Sequence, residues 1–98
     1  MFIDSHCHLD RLDLDLREGG IEGVLRDARR NNVSHMLSVA VDLDSSQALQ
    51  QLMASYPHVY TSVGVHPLYP GDGQVPEVQA LVEMAKSSKV IALGETGL

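Results

Sequence analysis

Val90-Ile91-Ala92-Leu93-Gly94-Glu95 is a short, nearly unbroken apolar run that stops on a glycine and a carboxylate. A run of this length without polar alternation fits a strand covered on both faces, the environment of parallel strands. Working back along the chain, His35 to Val41 and Val59 to Val65 have the same character, and Phe2 to Cys7 is a fourth strand candidate. The strand starts lie 33, 24 and 31 residues apart, close to the roughly 30 residues of one βα unit.

Between the strands lie three segments with the 3.6-residue period of amphipathic helices. In the first, Ile21, Val24, Leu25 and Ala28 share a face, with Glu18 and Glu22 near the start and Arg26, Arg29 and Arg30 near the end, an order that complements the helix dipole. The second carries Leu49, Leu52, Met53 and Tyr56 behind Asp44 or Ser45 as cap, with Gln47 completing a loose capping box and Pro57 ending the helix. The third has Val78, Leu81, Val82 and Ala85 on one face, Pro76 at its first position and Lys86 and Lys89 at its end. The order β-α-β-α-β-α-β predicts an α/β fold with a parallel sheet, whose carboxyl strand ends are where such folds bind ligands.

Composition narrows the function. Seven Lys+Arg against 13 Asp+Glu leave a formal net charge of −6, which speaks against a module that holds nucleic acid through clustered basic side chains. With 44% hydrophobic and 20% charged residues, the chain has the make-up of one globular domain. The single cysteine excludes a disulfide framework or a four-cysteine zinc site and fits a reducing compartment, so a cytoplasmic location is expected. Apolar runs fall far short of the roughly 18 to 20 residues of a membrane span, and no signal peptide is expected.

The sharpest chemical signal is Asp4-Ser5-His6-Cys7-His8-Leu9-Asp10. With a strand period of two, His6 and His8 project to one side and Ser5 and Cys7 to the other, which makes the imidazoles half of a metal site. The same pattern is met where one histidine caps a strand and the other is solvated. At the other end, Glu95 follows a buried strand, where a carboxylate is costly unless a cation compensates it. It is the natural third ligand; a solvated loop carboxylate is the alternative. His66, in Gly64-Val65-His66-Pro67, falls at the same mouth and reads as supporting the ligands rather than as one of them, and Asp4 could orient a ligand through a hydrogen bond, as could Asp10. Cys7 reads as a packing thiol, His35 and His58 as solvated, and the arginine cluster as a solvated helix end.

Taken together, Phe2-Ile3-Asp4-Ser5-His6-Cys7-His8-Leu9-Asp10, Ser62-Val63-Gly64-Val65-His66-Pro67 and Ala92-Leu93-Gly94-Glu95-Thr96-Gly97-Leu98 resemble the TatD family of metal-dependent deoxyribonucleases, with all three motifs in order. The resemblance spans the whole chain. It implies a (β/α)8 TIM barrel with two divalent ions (Zn, Mn, Mg, Fe or Co) at its C-terminal face, hydrolysing phosphodiester bonds of DNA. By the same resemblance His6 and His8 bind one ion and Glu95 bridges to the second as a catalytic carboxylate.

A TIM barrel takes about 250 residues, and 98 hold four βα repeats at most. The expectation is therefore that residues 1–98 are the N-terminal half of such a barrel, inactive by itself and prone to self-association through open sheet edges. The ligands that the family places on later strands, two histidines and an aspartate, have no matching position here. An amidohydrolase acting on a small ester or amide, or a non-catalytic self-associating half-barrel, are the alternatives.

Overall fold

The computed structural model describes residues 1–13, 18–68 and 77–96. Among them β1 (Phe2–Cys7), β2 (Val33–Ser38), β3 (Val59–Val63) and β4 (Val90–Leu93) form one sheet in the order β1-β2-β3-β4. Every neighbouring pair is parallel. The helices α1 (Gly20–Arg30), α2 (Leu43–Met53) and α3 (Val78–Ala85) alternate with the strands, and a short 3-10 turn, Leu9–Arg11, follows β1. This is the predicted α/β arrangement of βα units. None of these helices is long and apolar enough to cross a membrane.

The core lies between the sheet and the helices. Leu9, Met36, Ala40, Leu49, Met53 and Val59 form a buried cluster, against which the α1 stripe of Ile21, Val24, Leu25 and Ala28 packs. The fully buried Leu49 and Met53 carry α2, and truncating either to Ala would cost about 2–5 kcal/mol. Leu52, expected on the same face, is largely exposed.

The sheet does not have both faces covered. On the side away from the core, Ile3, Leu37, Tyr60 and Ile91 line a concavity, and Ile91 is 60% exposed there. The apolar runs are thus explained by two apolar faces, of which the described residues bury one. On α3 likewise, Val78 is exposed, while Leu81 and Ala85 are half-buried.

Several boundaries differ from the sequence reading, among them the start of β2, which is Val33 and not His35. The cap of α2 is Asp42, not Asp44 or Ser45: its Oδ1 accepts from Ser45 N–H at 2.6 Å, and Ser45 Oγ accepts from Asp42 N–H at 3.2 Å. A reciprocal box needs its members three residues apart, which Asp42 and Ser45 satisfy. The later strands also stop short of the predicted Val41, Val65 and Glu95, because the residues beyond Ser38, Val63 and Leu93 leave the ladder to bond across the strand ends. Pro76, Gly97 and Leu98 lie outside the described residues.

Candidate metal centre

The residues that leave the ladder build the site. Val39 N–H donates to Cys7 O at 2.7 Å, Glu95 N–H to Ala40 O at 2.9 Å, and His66 N–H to Val41 O at 2.7 Å. The segment 39–41 is therefore a buried hub to which the exits of β1, β3 and β4 are tied. In a flat sheet β1 and β4 would stand about 14 Å apart, three spacings of about 4.8 Å. Here their exits converge, and the side chains of His6, His8 and Glu95 meet.

His6 Nε2 lies 3.6 Å and His8 Nε2 3.5 Å from the same oxygen, Glu95 Oε2. Their rings are nearly perpendicular, with centroids 5.2 Å apart. One donor atom from each of the three residues falls within 4.8 Å of the others. Tetrahedral ligands about 2.0–2.1 Å from a zinc-sized ion are about 3.3–3.4 Å from one another, so the spacing suits a shared cation. It is too long for good direct hydrogen bonds.

The tautomer of His8 agrees with that fit. Its Nδ1 lies 2.8 Å from Val39 O, and a carbonyl only accepts, so Nδ1 holds a proton and the neutral ring presents the lone pair of Nε2 toward Glu95. His66 is in the opposite state. Its Nδ1 accepts from Leu68 N–H at 3.0 Å, which leaves the proton on Nε2, 3.8 Å from Glu95 Oε1. The two oxygens of Glu95 therefore face different partners: Nε2 of His6 and His8 on one side, the N–H of His66 on the other. His66 approaches the carboxylate.

Asp4 binds the backbone, accepting from His6 N–H at 3.1 Å through Oδ1, and does so at the surface. Cys7 turns away from the imidazoles toward Leu37 O, 3.5 Å from its Sγ. Burial, with the negative charges of Asp4 and Asp10 behind it, pushes the thiol up to about 11, so it is no ready thiolate ligand. His35 and His58, expected to be solvated, stack edge to face with centroids 5.2 Å apart, and His35 is half-buried.

Sequence reasoning missed the glycine and serine that hold Glu95. A Cβ on Gly64 would stand 2.5 Å from the carbonyl carbon and oxygen of Gly94, so only glycine lets β4's exit come this close. The hydroxyl of the buried Ser62 donates to Gly94 O at 2.8 Å. The signal was present as Ser-Val-Gly ahead of the histidine, but its meaning depends on a strand distant in sequence.

Comparison with known proteins agrees with this architecture. Residues 3–98 match the family model described as TatD related DNase. The uncharacterized metal-dependent hydrolase YcfH of Escherichia coli K12 is 38% identical over 96 residues, covering 98% of this chain and 36% of YcfH. An uncharacterized metal-dependent hydrolase of Buchnera aphidicola subsp. Baizongia pistaciae is 34% identical over 96 residues, with the same coverage of 98% and 36%. The 3'-5' ssDNA/RNA exonuclease TatD of Escherichia fergusonii is 36% identical over 66 residues, 67% of this chain and 25% of that protein. The chain spans about a third of the length of the first of these relatives. With parallel βα units, convergent strand ends and a family match over nearly its whole length, the chain belongs to the TatD-related DNase family.

Proposed function

We propose that the protein carrying these residues is a divalent-metal-dependent hydrolase of phosphodiester bonds in nucleic acid, DNA first among them. The observation that carries this reading is the convergence of His6 Nε2 and His8 Nε2 on one oxygen of Glu95, at 3.6 and 3.5 Å. The family supports hydrolysis, and the exonuclease name of one relative supports nucleic acid as substrate.

His6, His8 and Glu95 would hold a cation, with two ions in the complete site and Glu95 shared between them. When bound, divalent ions supply positive charge for phosphate oxygens and acidify a water for attack. Mixed imidazole and carboxylate ligation suits Zn, Mn, Fe or Co, whereas Mg calls for more oxygen. The protein's part is positional. Val39 O keeps the His8 lone pair aimed at the centre, and Asp4 steadies the backbone of His6. His66 Nε2–H, 3.8 Å from the far oxygen of Glu95, offers a donor beside the centre. A chain of net charge −6 repels a polyanion, so substrate affinity depends on the bound cations.

The test is cleavage of a labelled DNA oligonucleotide by the full-length protein, first stripped with a chelator and then resupplied with Zn, Mn, Mg, Fe or Co. Cleavage is expected only with metal, and His6→Ala or His8→Ala should lower it by at least about a hundredfold, since outer partners of ligands alone are worth 10–100-fold. Full activity in chelator would overturn the proposal. Turnover of small esters or amides without cleavage of DNA would replace it with the amidohydrolase reading.

A further inference from the structure

Ser62 lies on β3, 1% exposed, and its hydroxyl bonds to Ala40 and Gly94, not to the side chains of the three candidate ligands. A hydroxyl buried this completely has to be satisfied by the protein. It accepts from Ala40 N–H at 3.0 Å and donates to Gly94 O at 2.8 Å. The second partner is informative, because Gly94 O belongs to the peptide group whose nitrogen is that of Glu95. That nitrogen donates in turn to Ala40 O at 2.9 Å. The bonds close a circuit: Ala40 N–H to Ser62, Ser62 to Gly94 O, across the peptide, and Glu95 N–H back to Ala40 O. Both polar groups of the Gly94–Glu95 peptide are thereby held, so its plane cannot turn without breaking a bond on one side or the other. The Cα–Cβ direction of Glu95 follows from that plane.

We infer that Ser62 is a positioning residue for the Glu95 carboxylate, fixing it through the Gly94–Glu95 peptide and not through any contact with the centre. The inference rests on the metal-centre reading of His6, His8 and Glu95. Metal sites make it consequential, since ligand distances are held to within about 0.2 Å. Without the hydroxyl, Ala40 N–H and Gly94 O lose their common partner, and the peptide turns to find others. The carboxylate tip, at the end of two methylenes, moves with it. Gly64, against which the Gly94 carbonyl rests, leaves room for that rotation on the side where a methyl group would have blocked it.

Cation affinity of the metal-stripped, full-length protein tests this, measured by calorimetry with Zn2+ or Mn2+ and by the visible spectrum of bound Co2+. Ser62→Ala should bind about tenfold more weakly, the low end of what ligand-orienting partners contribute, and change the Co2+ spectrum. Ser46→Ala is the comparison: this buried α2 serine donates to Asp42 O at 2.7 Å, so its loss should lower the thermal midpoint while leaving cation affinity and spectrum as in the wild type. Ser62→Thr retains the hydroxyl and should retain the affinity even if stability falls. Should Ser62→Ala fail to fold, Ser62→Cys, with a weakly bonding thiol in the same place, takes its part.

Wild-type affinity in Ser62→Ala would overturn the inference. An equal loss in Ser46→Ala would do so too, as would a folded Ser62→Thr as weak as Ser62→Ala. His8→Ala separates this failure from that of the centre: if it binds the cation as the wild type does, the centre itself has been misassigned.

Discussion

The ring of His8 donates from Nδ1 to the carbonyl of Val39 across 2.8 Å, and this bond decides which nitrogen faces Glu95. Nitrogen NMR of the metal-free protein at pH 8 should show His8 with its proton on Nδ1 and a bare Nε2. Added Zn2+ should move the Nε2 resonance and leave the Nδ1 proton in place. A proton on Nε2 would contradict the assigned ligand atom.

Gly64→Ala places a methyl group where the Gly94 carbonyl now rests. Backbone cannot yield as the end of a side chain can, so overpacking of about 1–3 kcal/mol is expected, visible as a lower midpoint in urea. Cation affinity should fall with it, because Glu95 is the next residue. A variant of wild-type stability and affinity would show that the exits of β3 and β4 are free to separate.

Cys7 should be inert in the folded, metal-free protein. Its thiol titrates at about 11 instead of 9.0, so near pH 8 the folded state holds about a hundredfold less thiolate than the unfolded chain. Alkylation by iodoacetamide should be slower by about that factor in buffer than in denaturant. The sign for stability follows: between about pH 9 and 11 the unfolded chain gives up this proton and the folded one keeps it. The thiol's contribution is therefore complete below pH 9 and is lost as pH rises toward 11. Equal alkylation rates in buffer and denaturant would refute this.

The 98-residue polypeptide expressed by itself should self-associate. Ile3 and Ile91 are exposed on the face away from the core, Leu93 and Val78 are exposed at the groove beside α3, and β1 and β4 are the outer strands of the described sheet. Sedimentation should find a dimer or larger species, and a monodisperse monomer would show that these surfaces are tolerated in water.

Legibility differed between side chains and backbone. His6, His8 and Glu95 could be read in advance, because strand periodicity sends two imidazoles the same way and a carboxylate after an apolar strand calls for a countercharge. The alternation of strands and helices was equally readable from the stripes of α1 and α2. Asp42 as the cap of α2 was not, since Asp44 and Ser45 are equally good capping types and only the end of β2 chooses. Ser62 and the segment 39–41 were illegible for a deeper reason. Their roles belong to backbone groups meeting across strands 22 to 32 residues apart, and no side-chain pattern encodes such meetings.

The meeting of β1 and β4 over a single carboxylate has a thermodynamic reading. A flat sheet holds His8 and Glu95 too far apart to share an ion, and only a curled one can bind it, so curvature and cation activity are conjugate quantities. Whatever flattens the sheet would loosen an ion held there, and a bound ion would oppose every fluctuation that opens the strand ends. A cation bound only by the curled state raises its stability with the logarithm of free concentration once the site is saturated. A centre of the proposed kind would be a clasp on the architecture as well as a place for chemistry, and the shape of the sheet would become measurable by melting the protein at different concentrations of metal, with no substrate present.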